Sequence, residues 1–215
     1  MRLREEAAKV FALPKILVLV SGNGSNLQAL IDAGIEITAV LSDREGAYAL
    51  ERARAAGIRA FIEKPGRGLS REERRREHSE RILLLCREMG IDIIIHAGFL
   101  SILAGDIIKE YSSKMINLHP ALLPKYGGQG MYGEHVHRAV LEAGETESGC
   151  TVHFVDAGID SGAILLQRKV PVMGDDTPES LSARIRIEEH KAIVDAAKML
   201  IDKTHCLKIN ADPAS

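Results

Sequence analysis

The chain has 215 residues, 46% of them hydrophobic and 27% charged, a composition that suits one soluble α/β domain with a sizeable core. Its formal net charge of −2 argues against a nucleic-acid binder driven by phosphate neutralisation, while leaving room for a local site that recognises a small phosphorylated substrate. The widely spaced cysteines Cys86, Cys150 and Cys206 read as reduced cytosolic thiols, not as a disulfide framework or zinc site, and no apolar run is long enough for a membrane span.

In chain order, residues 1–13 read as a short helical extension without the apolar core of a signal peptide. Residues 15–20 (KILVLV) read as a buried strand, 25–33 as a helix, 37–41 as a second strand and 48–56 as a helix stopped by Gly57. A short strand is expected at 60–63, a long helix at 71–89 closed by Gly90, and strands at 91–95 (IDIII) and 114–118 (KMINL). Short, strongly apolar strands separated by helices predict a Rossmann-like α/β fold, with a mostly parallel sheet covered by helices on both faces.

The second half has a different rhythm. Residues 120–133 are rich in Gly and Pro and predict a long loop, followed by a helix at 134–143. The strands expected at 151–155 and 164–170 are too close for a helical crossover, so they should be antiparallel. A long helix is expected at 178–201, capped by Asp176 or Thr177 with Pro178 at its first position, and residues 207–210 read as an edge strand. The expected organisation is an extension over 1–14 and one domain over 15–215, with a nucleotide-binding half (15–113) and a mixed catalytic half (114–215). The active site should lie at the carboxyl ends of the parallel strands.

The first strand runs into Ser21-Gly22-Asn23-Gly24-Ser25-Asn26-Leu27. Glycines allow a tight turn and close approach, and the N–H groups opening the next helix point at an anion. This reads as a phosphate loop, against the competing reading of a structural glycine turn. Leu27 excludes a complete G-x-G-x-x-G pattern, and no Gly-Lys-Ser/Thr follows. Asp43 stands where a dinucleotide-binding fold would hold ribose, which keeps that class open.

Farther on, Asn117-Leu118-His119-Pro120 places Asn117 and His119 on one face of a strand that Pro120 ends. Of the other histidines, His78, His135, His137 and His205 read as surface or loop residues, and His190 lies in the last helix. His153 reads as a core residue of a strand, and His96 ends one. The loop 156–162 carries Asp156 and Asp160, and a carboxylate near His119 would favour imidazolium. From spacing alone, however, both aspartates read first as turn residues.

These stretches, with Ala97-Gly98-Phe99-Leu100 and Leu123-Pro124, resemble the glycinamide ribonucleotide formyltransferases over residues 15–200, in that family's order. The resemblance implies the formyltransferase fold and transfer of a formyl group from 10-formyltetrahydrofolate, a co-substrate, to the amine of glycinamide ribonucleotide in purine biosynthesis. It implies a cytoplasmic enzyme, monomer or homodimer, that uses no metal and binds no nucleic acid or membrane. By the same resemblance Asn117, His119 and Asp160 form the catalytic trio, with Asn117 and His119 donating to a developing oxyanion. Gly24, Ser25, Asn26 and Glu189 bind the ribonucleotide. Phe99, Leu100, Ser101, Ile102, Leu103, Asn117, Asp156, Ala157 and Gly158 bind folate, with Arg75 chosen from Arg71, Arg74, Arg75 and Arg76 as a further contact. The family usually has Arg at Ser101, often Pro at Gly127, and an apolar residue at His96. Alternatives are a 10-formyltetrahydrofolate hydrolase, expected to carry an amino-terminal regulatory domain, a methionyl-tRNA formyltransferase, expected to carry a basic face and an extra domain, and a dehydrogenase-type nucleotide-binding module.

Overall fold

A computed structural model describes residues 13–68 and 70–210. The helical reading of residues 1–13 lies outside them apart from Leu13, which is not helical. The first strand, β1 (Ile16–Val20), is buried along its whole length because both of its faces are covered. Ile16, Val18 and Val20 point into one layer, with Leu27 and Leu30 of α1 (Ser25–Asp32). Leu17 and Leu19 point into the other, with Ile82, Leu83 and Cys86 of α3 (Arg71–Met89). This two-sided burial explains the unbroken KILVLV run.

Between them lie β2 (Ala39–Ser42), α2 (Tyr48–Ala55) and β3 (Arg59–Ile62). The chain then passes through β4 (Ile93–His96), α4 (Asp106–Glu110), β5 (Met115–His119), α5 (Glu134–Glu142), β6 (Glu147–Phe154), β7 (Ile164–Pro171) and α6 (Pro178–Asn210). The sheet order is β3-β2-β1-β4-β5-β6-β7. The first five are parallel, and β6 and β7 are antiparallel to their neighbours. The predicted α/β class and the mixed second half are both present. The order turns back at β1 and β4, which opens a crevice at their carboxyl ends.

Local chemistry sets the helix ends. Ser70 Oγ accepts from the Glu73 N–H at 3.2 Å while Glu73 Oε2 accepts from the Ser70 N–H at 3.0 Å, a reciprocal cap that starts α3. Gly90, at φ 63°, ends it. Thr177 caps α6, its Oγ1 accepting from the Ser180 N–H at 3.3 Å.

Residues 207–210 are not an edge strand: α6 continues through them to Asn210. A four-residue alternation is a weak signal against a helix already formed, where each added residue gains a hydrogen bond at little nucleation cost. The five-residue α4 was not anticipated, being too short to show a helical period.

Candidate active site

The loop after β1 is shaped by close packing. Gly24 is left-handed at φ 77°, and a Cβ there would lie 2.5 Å from the Ala49 Cβ on α2. Only glycine satisfies both demands. Arg52 braces the loop, Nε donating to the Asn23 carbonyl at 2.9 Å and a second guanidinium nitrogen to Asn23 Oδ1 at 2.9 Å. Ser21 stitches it to the segment after β4: its N–H donates to the Gly98 carbonyl at 3.0 Å, and its hydroxyl accepts from the Leu100 N–H at 2.8 Å. No side chain caps α1, so the N–H groups of its first turn are left for an anion.

A cavity of about 390 Å³ opens beside this loop at the carboxyl ends of β4 and β5. Of the sequence candidates, Asn26, Phe99, Leu100, Ser101, Ile102, Leu103, Asn117, His119, Asp156, Gly158, Asp160 and Glu189 line it. Gly24, Ser25, Ala157 and Arg75 are not among its lining residues. Arg75 is part-exposed on the first turns of α3, where its carbonyl accepts from the Ser79 hydroxyl at 2.7 Å. Asp43 is 8% exposed and does not line the cavity; its Oδ2 accepts from the Ser101 hydroxyl at 2.7 Å. The carboxylate that a dinucleotide fold would offer to ribose is turned inward here, which weighs against that class.

Asn117 and His119 project from β5 into the cavity, while Ile116 and Leu118 join the apolar layer beneath. Asp160, in the left-handed region at φ 54°, brings its carboxylate between them from the loop after β6. Its Oδ1 lies 3.4 Å from Asn117 Nδ2, and its Oδ2 lies 3.5 Å from His119 Nδ1. The Gly128 N–H donates to the same Oδ2 at 3.0 Å. His119 Nε2 lies 2.8 Å from the Tyr126 carbonyl, which can only accept, so Nε2 carries a proton.

Sequence reasoning left His153 in the core, and the structure brings it into the site. β6 pairs with β5 so that His153 lies opposite Asn117. Asn117 Nδ2 is 3.1 Å from His153 Nε2, and His153 Nδ1 is 2.9 Å from the Phe154 carbonyl. His153 is therefore the Nδ1–H tautomer, with Nε2 accepting from the Asn117 amide. His153 Nε2 also lies 3.5 Å from Asp160 Oδ1. The missing signal was strand pairing, which a single sequence does not display.

His137 and His78, expected at the surface, are 3% and 1% exposed. His137 faces inward from α5 and lines the cavity, and His78 Nε2 meets the Glu63 carbonyl at 2.7 Å. Ser182 and Arg186 join Glu189 on the cavity wall, one helical face of α6 that had been recognised only at Glu189.

Burial pushes the His119 imidazole below its ordinary range, and Asp160 and the Tyr126 carbonyl oppose that push without cancelling it. Burial thus favours the neutral ring more than in an exposed imidazole, while Asp160 pulls towards imidazolium. Burial also raises the Asp160 carboxyl, but His153, His119 and the Gly128 N–H outweigh it, leaving it below the usual carboxylate range. Burial raises Glu189, with Asn26 and Arg186 working in the other direction.

Among the described residues, no cluster of three or more His, Cys, Asp or Glu side chains is arranged to hold a metal ion, and no helix is long and apolar enough to cross a membrane.

Residues 14–197 match the model of the formyl transferase family. The phosphoribosylglycinamide formyltransferase of Escherichia coli K12 is 41% identical over 181 residues, which cover 81% of this chain and 81% of that one. The trifunctional purine biosynthetic protein adenosine-3 of Drosophila melanogaster is 42% identical over 198 residues, 88% of this chain and 14% of that protein. The chain thus spans about a seventh of that longer relative. The crystal structure of glycinamide ribonucleotide transformylase 1 from Symbiobacterium toebii is similar at a TM-score of 0.79 and 38% identity, over 89% of each chain.

Proposed function

We infer the reaction from one premise: the chain belongs to the formyl transferase family. It transfers a formyl group from 10-formyltetrahydrofolate to the amine of glycinamide ribonucleotide, a step of purine biosynthesis, in the cytoplasm. The observation that carries this reading is the convergence of Asn117, His119 and Asp160 on one cavity, beside a helix N-terminus open to a phosphate. Relatives that bear this activity in their names, at 41% and 38% identity, support it.

The cavity suits both substrates. Phe99, Leu100, Ile102 and Leu103 offer apolar surface to a flat ring system, and Asp156 and Gly158 offer polar groups at its edge. On the other side, the first turn of α1 takes the phosphate. Asn26, whose buried Oδ1 has no partner, Glu189 and Arg186 are placed for the rest of the ribonucleotide.

The folate supplies the formyl carbon. The amine nitrogen bonds to that carbon, the bond from the carbon to N10 breaks, the amine loses a proton and N10 gains one. Negative charge gathers on the formyl oxygen as the amine attacks. The Asn117 amide donates to it, and His119 joins as a donor once its Nδ1 takes the proton that the amine loses, a step that Asp160 favours and that ends with the proton passed to N10. His153 holds the Asn117 amide in place by accepting one of its hydrogens.

The test is a spectrophotometric assay of folate deformylation with and without ribonucleotide. Ribonucleotide-dependent release that drops at least about 100-fold in His119→Ala is expected. Release without ribonucleotide would point to a hydrolase, and unchanged turnover in His119→Ala would overturn the assignment.

A further inference from the structure

The residues holding His119 and Asp160 from the cavity's outer side form a three-residue strap, Tyr126-Gly127-Gly128, in the loop between β5 and α5. Its two ends grip the two members of the acid–base pair. The Tyr126 carbonyl accepts from His119 Nε2 at 2.8 Å, and the Gly128 N–H donates to Asp160 Oδ2 at 3.0 Å. Between them Gly127 runs so close to Asp160 that a Cβ there would lie 3.3 Å from the Asp160 Cβ.

The strap depends on an uncommon backbone state. Tyr126 sits at φ 57°, a left-handed conformation that a non-glycine residue keeps only where its surroundings enforce it. Two contacts do so. The Tyr126 ring packs against the apolar layer, and its hydroxyl donates to Glu145 Oε1 at 2.9 Å. Glu145 lies just before β6 and is held by the Lys125 ammonium at 2.8 Å. A carboxylate on the far side of the loop thereby fixes where the Tyr126 carbonyl points.

We propose that Glu145, acting through the Tyr126 hydroxyl, is a positioning residue for the reaction, because it sets the strap that commits His119 Nε2 to a fixed hydrogen bond and leaves Nδ1 as the nitrogen that takes and gives the proton. This inference rests on the formyl-transfer reading only for its kinetic consequence. The tautomer it assigns exists with or without that activity. The groups facing His119 are Asp160 from the loop after β6, His153 from β6, His137 from α5 and the Tyr126 carbonyl itself.

The test combines nitrogen NMR of the His119 ring with kinetics in Tyr126→Phe, Glu145→Leu and the conservative Glu145→Gln, which keeps an acceptor for the hydroxyl. In Tyr126→Phe and Glu145→Leu the Nε2–H tautomer should lose its dominance, and the ring should release its proton at lower pH. Turnover should fall about three- to tenfold, as expected for loss of one supporting hydrogen bond, with the KM for the ribonucleotide within about twofold. Glu145→Gln should stay close to the parent protein in both readouts. If Tyr126→Phe and Glu145→Leu leave the ring nitrogen signals and the pH profile unmoved, the inference is overturned, even where turnover drops through poorer folding. If the tautomer shifts as expected in a protein that shows no formyl transfer, the positioning role stands and the reaction assignment fails.

Discussion

Asp160→Asn isolates the charge that the site aims at His119. Asparagine has nearly the same shape, and its side-chain oxygen can still accept the Gly128 N–H that the carboxylate accepts at 3.0 Å. What disappears is a negative charge 3.5 Å from His119 Nδ1, between side chains only 4% and 12% exposed. At an effective dielectric constant of about 20, a pair at this distance is worth about 4 kcal/mol. Without that attraction the His119 ring should titrate at lower pH in the variant, and a tenfold change in rate corresponds to about 1.4 kcal/mol. Burial already holds that ring below its ordinary range, with Asp160 working against burial, so the two effects add in sign. If the protonated ring forms as the formyl oxygen gains charge, turnover should fall by up to about 1000-fold, with ribonucleotide binding little changed. The assay is turnover across pH together with NMR titration of His119. A variant that keeps turnover within about threefold, or an unmoved His119 titration, would refute the electrostatic role given to Asp160.

Other consequences are smaller but separable. Burial, with His153 adding in the same direction, pushes His96 down to about 3, and the ring sits 3.2 Å from Met115 Sδ. A folded-state value below the unfolded one means stability is full above the unfolded value, about 6.5, and is lost as pH falls toward 3. His96→Leu should therefore flatten acid destabilisation by up to about 1.4 kcal/mol per pH unit in that window, read as urea midpoints at neutral and acid pH. Equal acid sensitivity in parent and variant would mean that His96 is not the group responsible. Burial raises Glu189, so its charged form, which a cationic amine or a ribose hydroxyl would bind, fills in at higher pH than for an ordinary carboxylate. Glu189→Gln should raise the KM for the ribonucleotide by about 10- to 100-fold and remove the rise in affinity with pH through that transition. Calorimetric titration of ribonucleotide into both proteins at several pH values checks this, and a parallel pH dependence in the variant would count against it.

The parallel half was legible because its signals are local. Two-sided burial writes itself as unbroken apolar strands such as KILVLV, and Gly57 and Gly90, both left-handed, were visible as helix stops. The glycine loop and the Asn117–His119 alternation could be found because each lies within a few residues. Glu189, Asp156 and Asp160 came from family resemblance, since nothing local separates them from ordinary helix and turn residues. His153, His137, Arg186 and the Tyr126 strap escaped for a different reason. Each acquires its place through pairing or packing with a distant segment: His153 through register with Asn117, His137 and Arg186 through helices laid against the cavity, Tyr126 through Glu145.

Asn117 and His119 sit where the sheet changes character. β5 is the last parallel strand and the first to take an antiparallel neighbour, so its two edges belong to different halves of the molecule. On one side it inherits the crevice that parallel strands open at their carboxyl ends, with Asn26 of the glycine loop and the apolar run 99–103 in reach. On the other, antiparallel pairing with β6 puts His153 opposite Asn117 and Thr151 opposite His119. The turn out of β6 then brings Asp160 back over the same strand end. The β6–β7 connection is too short for a helical crossover, so it folds back along β5 and carries Asp160 to His119. That short antiparallel connection is thus what lets the crevice beside the glycine loop and the buried His119–Asp160 pair share one cavity. It also accounts for the composition of the segment between β6 and β7: a tight Asp- and Gly-containing turn in place of a further helical crossover.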